Sequence, residues 1–146
     1  DLRASTRGRM SPPKEGFLRW TGEGRVFSDQ VGSGPTVTID SASKVGPSST
    51  DSLLLGLMGC MSIDLLVVLE KGRVTLNSLE THVEAERAPD PPQYFTRVRL
   101  TFVLDGPSPE DRPKVDRAIK LSREKYCSVL HSLRQDLELE TVVEGV

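Results

Sequence analysis

The stretch GPSSTDSLLLGLMGCMSIDLLVVLEKG, residues 46–72, decides the fold. A serine N-cap near Ser48 or Ser49, followed by Asp51, is typical of a helix start. Apolar residues continue from there to Leu69, and the pair Lys71-Gly72 is typical of a helix end. Apolar side chains cover nearly the whole circumference, which predicts a helix that is buried on several sides.

Gly56 and Gly59 interrupt this apolar run. Each costs about 1 kcal/mol of helix propensity relative to alanine, so close approach of another backbone is the expected benefit. The glycines therefore predict tight packing against a sheet or a partner helix. The run contains Asp64 and is shorter than the roughly 20 apolar residues of a membrane span, so we interpret it as a core helix.

Composition indicates a globular domain. Apolar residues make up 36% of the chain, charged residues make up 27%, and the net charge is −2, without the basic stripe expected of a nucleic-acid binder. The modest apolar content favours an oligomer that shares its core.

Residues 1–16 are charged and contain proline, which predicts an N-terminal tail or arm before one domain at 17–146. No signal-peptide pattern is present, so we expect a cytoplasmic protein.

Alternating apolar residues and turn signals predict strands around the long helix. Three strands precede it, two long strands follow it, and a helix then starts at Ser108-Pro109 with a capping pattern. A break at Cys127, a short helix and a last strand complete the chain. The fold class is α+β. The predicted strands are Phe17–Trp20, 25–30, 36–40, 74–86, 94–104 and 137–143.

Cys60 and Cys127 are the only cysteines. They are either two unrelated packed thiols or a reactive pair, and the residues alone leave both interpretations open. Cys60 lies in mid-helix, where burial would raise its pKa. Cys127 precedes a predicted helix start, which would lower its pKa, so local physics makes Cys127 the readier thiolate.

Few other side chains are candidates for chemistry. His131 lies four residues after Cys127 and either polarises that thiol or is a surface residue, whereas we interpret His82 as structural. Cys60, His82, Cys127 and His131 lack paired ligand spacing, so we expect no metal site. Candidates for stabilising a Cys60 thiolate are Arg19 and Arg25 on the first hairpin and Thr50 and Asp51 at the helix start.

Two blocks resemble the cysteine motifs of the OsmC/Ohr family (osmotically induced protein C and organic hydroperoxide resistance). Residues 46–64 resemble its first cysteine helix, and 124–129, EKYCSV, resemble its second motif in the form found in the YhfA-like branch. The resemblance extends over about residues 17–146. It implies an OsmC-like α+β fold with antiparallel sheets wrapped around a long central helix, in an intertwined homodimer whose central helices pack together.

The resemblance also implies an activity, which is thiol-dependent reduction of organic hydroperoxides in peroxide stress defence, without a cofactor. By position, Cys60 matches the peroxidatic cysteine and Cys127 the resolving one, which reverses the order expected from local physics. Their disulfide would be reopened by a dithiol reductant.

The chain departs from the organic hydroperoxide branch at the residues that stabilise the thiolate. The arginine of that branch falls at Gly22 and its glutamate at Thr50, while Asp51 matches an acid of the YhfA-like branch. Arg19 and Arg25 are the candidates to replace that arginine. The alternative function is a dimeric binding module whose apolar pocket near Cys60 holds a small hydrophobic ligand, with both thiols dispensable.

Overall fold

The computed structural model describes residues 12–32 and 34–146. The chain divides into two compact units, of which the first ends at Ser52 and the second extends from Leu53 to Val146. The predicted tail at residues 1–16 lies mostly outside the described residues and stays a prediction.

The first unit contains a three-stranded antiparallel meander. Strands β1 (Gly16–Trp20), β2 (Val26–Val31) and β3 (Val37–Asp40) are neighbours in chain order, as the turn signals predict. The indole N–H of Trp20 donates to the Gly24 carbonyl at 3.1 Å across the first turn. Short strands joined by glycine-containing turns pair locally, so the sequence pattern suffices to predict them.

The loop after β3 is organised by Asp40, whose side chain is buried. Its carboxylate accepts backbone N–H groups of Ala42, Lys44 and Val45 at 2.9, 3.0 and 3.1 Å. These hydrogen bonds stabilise the charged form and lower the pKa of Asp40 below its ordinary 3.8. The carboxylate thus replaces the backbone partners that this irregular loop lacks.

Helix α1 extends over Ser49–Lys71. The Ser48 hydroxyl accepts the Asp51 N–H at 3.2 Å, and the Ser48 carbonyl accepts the Ser52 N–H at 2.9 Å, which confirms the predicted cap. At the other end, the Val74 N–H donates to the Leu69 carbonyl. Because this bond closes the helix, Val74 is not available to the next strand, which starts later than predicted.

The second unit contains β4 (Ser78–Arg87), β5 (Phe95–Asp105) and β6 (Glu138–Glu144), in that order across the sheet. β4 and β5 are antiparallel, but β6 runs parallel to β5. The expectation of antiparallel sheets holds for β4 and β5 but is wrong for β5 and β6. The reason is the long helical connection between β5 and β6, since a crossover of this kind returns the chain in the same direction.

The crossover consists of short helical segments. A 3₁₀ turn (Pro109–Asp111) leads into α2 (Arg112–Leu121), which continues as a π-helical turn (Ser122–Tyr126), and a second 3₁₀ turn (Leu130–Ser132) follows. The Ser108 N–H donates to the Asp111 carboxylate at 3.0 Å, which confirms the predicted capping pattern. The predicted break at Cys127 is also present.

The core of the second unit lies where α1 and α2 pack against the sheet. Side chains that recur every four residues on α1 are fully buried there, so one face of this helix belongs to the core. The length and composition of the helix would also suit a membrane span. The buried apolar side chains are Leu57, Met61, Leu65, Leu69, Val74, Val98, Leu100, Phe102, Leu104, Val115, Ala118, Ile119 and Cys127.

A second stripe of α1 stays exposed. Leu55, Ile63 and Leu66 have 56%, 60% and 47% of their surface accessible. On the same stripe, a Cβ atom added at Gly56 or Gly59 would meet no atom of the described residues within 4 Å. The described residues thus do not make the close backbone contact that the glycines predict.

We predict that Asp40→Asn increases local opening of the loop after β3. The Asn amide cannot accept hydrogen bonds from three N–H groups as well as the carboxylate does. Hydrogen exchange at the amides of Ala42, Lys44 and Val45 should accelerate at neutral pH. In wild type, the charged Asp40 carboxylate stabilises the loop fully above pH 3.8. Protection of these amides from exchange should therefore be lost as the pH falls through the lowered pKa of Asp40. Asp29→Asn is the matched control, and equal acceleration in both variants would contradict the assignment.

Candidate thiol site

Cys60 and Asp64 lie one turn apart on α1. At a spacing of four residues their side chains share one face, between the buried stripe and the exposed one. Both are half-buried. Helix α1 is anchored by four fully buried side chains, so the positions of the thiol and the carboxylate are set by a rigid element.

Cys127 lies directly after the π-helical turn and is completely buried. Its N–H donates to the Ser122 carbonyl at 2.9 Å, which closes that turn. Its sulfur accepts the Leu130 N–H at 3.3 Å. π-Helical turns occur often at functional sites because the extra residue redirects the chain. Here the turn directs Cys127 into the core of the unit.

The structure brings the two cysteines together. The sulfur atoms of Cys60 and Cys127 and a carboxylate oxygen of Asp64 all lie within 4.8 Å of one another. Both cysteines are free thiols. Small rearrangements would bring the sulfurs to the S–S bond length of about 2.05 Å. The arrangement therefore allows thiol–disulfide chemistry within one chain.

Burial raises the pKa of Cys127 from 9.0 to about 11. The hydrogen bond from the Leu130 N–H lowers this pKa, whereas Cys60 and the negative charge of Asp64 raise it further. The local expectation that Cys127 is the readier thiolate is therefore wrong. The helical segment that follows is a single turn, and its one N–H donor does not compensate for the loss of hydration.

Ser122 holds the carboxylate of this site. It is fully buried, and its hydroxyl donates to Asp64 at 2.7 Å. Neither residue was a candidate from the sequence. The spacing of four between Cys60 and Asp64 is a signal that was present in the chain, but the contact with Ser122 joins positions far apart and depends on the tertiary fold.

The two histidines lie away from this chemistry. His131 is exposed and its Nε2–H donates to the Arg123 carbonyl at 2.9 Å, so the imidazole takes a backbone partner rather than polarising a thiol. His82 lies on β4 with its Nε2 atom 3.7 Å from the Glu80 carboxylate, and its side chain is 64% exposed. It is a surface residue rather than a structural one.

The four candidate thiolate-stabilising residues belong to the first unit, whereas both thiols belong to the second. Arg19 is exposed and stacks over Phe17 at 5.7 Å, and Arg25 is also exposed. Thr50 and Asp51 form the first turn of α1, and Asp51 is exposed. Their predicted action on Cys60 stays a prediction.

A shallow groove adjoins the site. It has a volume of about 460 Å³ and is lined mainly by apolar surface, with Asp64 as its link to the thiols. This volume lies within the range of small-molecule sites. The lining residues are Asp64, Val67, Val68, Lys71, Leu121 and Tyr126.

Comparison with known proteins places this geometry in a family. A family model described as OsmC-like protein matches residues 41–142. Protein YhfA of Escherichia coli is 33% identical over 130 residues, which are 88% of this chain and 96% of YhfA.

Solved structures share the fold. An OsmC-like protein from Mycoplasma pneumoniae superposes with a TM-score of 0.74 at 15% identity, over 94% of this chain and 98% of that one. An organic hydroperoxide resistance protein from Legionella pneumophila superposes with a TM-score of 0.64 at 12% identity, over 93% and 99%. With both cysteine motifs inside the matched region, the chain belongs to the OsmC-like protein family.

Proposed function

We propose that the protein is a cysteine-dependent hydroperoxide reductase that acts in peroxide stress defence. The observation that carries the proposal is the approach of the Cys60 and Cys127 sulfurs to within 4.8 Å of each other. Two free thiols held this close by separate elements form a disulfide readily once one of them is oxidised. Organic hydroperoxide resistance proteins with the same fold support this choice of oxidant.

The reaction balances without a cofactor. The Cys60 thiolate attacks the O–O bond of a hydroperoxide and becomes a sulfenic acid, while the alkoxide that leaves takes a proton and becomes an alcohol. The Cys127 thiol then attacks the sulfenic sulfur, a disulfide forms and water leaves. A dithiol reductant reopens the disulfide by thiol exchange and restores both thiols.

Accessibility supports this order of the two cysteines. Cys60 is half-buried and within reach of a substrate, whereas Cys127 has no exposed surface. The raised pKa of Cys127 agrees with this order, because a thiol that stays protonated at neutral pH is a poor nucleophile toward peroxide. Cys60 is therefore the peroxidatic residue and Cys127 the resolving one in this proposal.

The Cys60 thiolate also needs a stabilising cation. Arg19 and Arg25 are the candidates from the first unit, with Asp51 or Thr50 to orient the arginine in place of the glutamate found in the organic hydroperoxide branch. Substitution of each arginine by methionine, followed by the rate of Cys60 oxidation, identifies which one acts.

The groove beside Asp64 favours an organic hydroperoxide over hydrogen peroxide. Its lining is mainly apolar and offers surface for an alkyl or aryl group. The same groove is the observation that favours the alternative function, a binding module for a small hydrophobic ligand. The two functions differ in whether the thiols are required.

The exposed stripe of α1 supports a homodimer. It combines three accessible apolar side chains with two glycines that leave room for a second backbone. A symmetric pairing of two α1 helices would bury this stripe and use the glycines for close approach. We expect the dimer to be cytoplasmic.

The first test is free-thiol titration and intact mass after one equivalent of cumene hydroperoxide or hydrogen peroxide. Wild type should lose both free thiols and the mass of two hydrogen atoms. This oxidation should be faster with cumene hydroperoxide than with hydrogen peroxide. Cys127→Ser should gain one oxygen atom at Cys60, and Cys60→Ser should keep its remaining thiol. Survival of both wild-type thiols would overturn the proposal.

Ligand binding is measured in parallel with a fluorescent fatty acid on wild type and on the double variant Cys60→Ser/Cys127→Ser. Equal binding by both proteins, together with thiols that resist peroxide, would establish the alternative function. Binding by neither protein would leave the groove without support as a ligand site.

The raised pKa of Cys127 predicts a pH dependence of stability for the reduced protein. The folded state keeps this proton to a higher pH than the unfolded state does, so the stabilisation is complete below pH 9 and disappears as the pH rises through about 11. The free energy of unfolding, measured with urea across this window, should fall more steeply for wild type than for Cys127→Ala. Equal slopes would contradict the assignment.

The dimer is tested by charge on the exposed stripe. Ile63→Glu and Leu66→Glu should each convert the dimer to a monomer in sedimentation velocity, because pairing would bury an uncompensated carboxylate. Glu70→Gln, at the end of the same helix, is the control and should remain dimeric. A wild-type monomer, or glutamate variants that stay dimeric, would contradict the proposal.

A further inference from the structure

Asp64 is the residue of the site that the proposed reaction does not use. Its carboxylate oxygen, with the two cysteine sulfurs, forms the only group of three potential metal ligands that the structure shows within residues 12–32 and 34–146. The oxygen and both sulfurs lie within 4.8 Å of one another. Around a tetrahedral zinc ion such donors are separated by about 3.5–3.8 Å, given metal bonds of roughly 2.0–2.3 Å. Small side-chain adjustments would bring all three donor atoms to bonding distance of one ion.

The charge distribution favours a cation at this point. Asp64 forms no ion pair with any lysine, arginine or histidine in the described part of the chain. Its half-buried carboxylate instead faces two thiols, whose deprotonated forms would add negative charge. A divalent cation bound here would displace the thiol protons and would interact favourably with all three negative groups that result.

The supporting structure is that of a preorganised site. Cys60 and Asp64 are one turn apart on a helix that the core holds rigid. The buried Ser122 hydroxyl donates to one carboxylate oxygen of Asp64 at 2.7 Å. Hydrogen bonds of this kind orient metal-binding carboxylates and are part of the design of metal sites. Cys127, from a separate element, completes the set.

We propose that the reduced protein binds one thiophilic divalent cation, with zinc as the representative, through the sulfurs of Cys60 and Cys127 and a carboxylate oxygen of Asp64. The fourth position of the tetrahedron is open to water or an external ligand, since the set contains three protein donors. Two thiolates select zinc and its soft relatives against magnesium and calcium. A Cys60–Cys127 disulfide removes both thiolates, so binding is confined to the reduced state.

The test is a titration of reduced, metal-free protein with Co²⁺ under anaerobic conditions, followed by displacement with Zn²⁺. One equivalent per chain should produce thiolate-to-cobalt charge-transfer absorption and the visible bands of a tetrahedral ion, and Mg²⁺ should produce neither. Cys60→Ser, Cys127→Ser and Asp64→Asn should each weaken zinc binding by more than about 100-fold, because they remove a ligand rather than an outer hydrogen bond. Ser122→Ala should weaken it by roughly 10–100-fold.

Two controls make the result decisive. Glu70→Gln removes an exposed carboxylate from the same helix and should bind as wild type does. Oxidation of wild type with diamide removes both thiolates without any substitution, so the oxidised protein should not produce the cobalt spectrum. This result does not depend on whether the Cys127→Ser variant folds. No saturable charge-transfer band, one ion per two chains, or unchanged binding by Asp64→Asn would overturn the proposal. All of these are read without peroxide, so they are independent of the reductase activity.

Discussion

The packing of the buried stripe of α1 against β5 is the interaction on which the site depends. Leu57, Met61, Leu65 and Leu69 fix the rotation of the helix about its axis. Rotation of α1 by one residue would turn Cys60 through about 100° and separate it from Cys127. Burial of each such leucine or methionine contributes about 1.5–3 kcal/mol, so the thiol geometry is maintained by the hydrophobic core rather than by a polar network.

The same core sets the chemical difference between the two cysteines. Full burial keeps Cys127 a neutral thiol, while Cys60, at the border of the stripe, remains half-buried. Asp64 adds negative charge where a peroxidatic thiolate needs the opposite. In the proposed reaction the Cys60 thiolate therefore needs a positive charge nearby, for which Arg19 and Arg25 are the candidates.

Local patterns predicted most of the elements because the elements are local. The caps at Ser48 and Ser108, the meander of the first unit and the break at Cys127 each depend on neighbours in sequence. The parallel pairing of β5 with β6 could not be predicted from alternation, which is the same in parallel and antiparallel strands. The pairing of Cys60 with Cys127 was predicted from the resemblance to a family, because their spacing in the sequence does not indicate a contact.

The site was predicted incompletely for a related reason. The contact between Ser122 and Asp64 links residues 58 positions apart, and nothing in either segment marks them as partners. The prediction that Cys127 is the readier thiolate was wrong. A helix start can be recognised in the sequence, but the depth at which a side chain is buried cannot. Sequence patterns thus identify donors and caps, whereas the balance between hydration and local hydrogen bonds is decided only by packing.

Thiol chemistry and metal binding make opposite demands on this site. Disulfide formation needs two sulfurs that can approach to about 2.05 Å, whereas one zinc ion holds them roughly 3.8 Å apart. The observed cluster, with donor atoms within 4.8 Å, is compatible with either state after a small movement. Cys60 lies within a regular α-helix, whereas Cys127 directly follows a π-helical turn, which is the less regular of the two supports. We therefore expect the movement between the proposed disulfide and the proposed metal-bound state to occur at Cys127 and its π-helical turn rather than at Cys60.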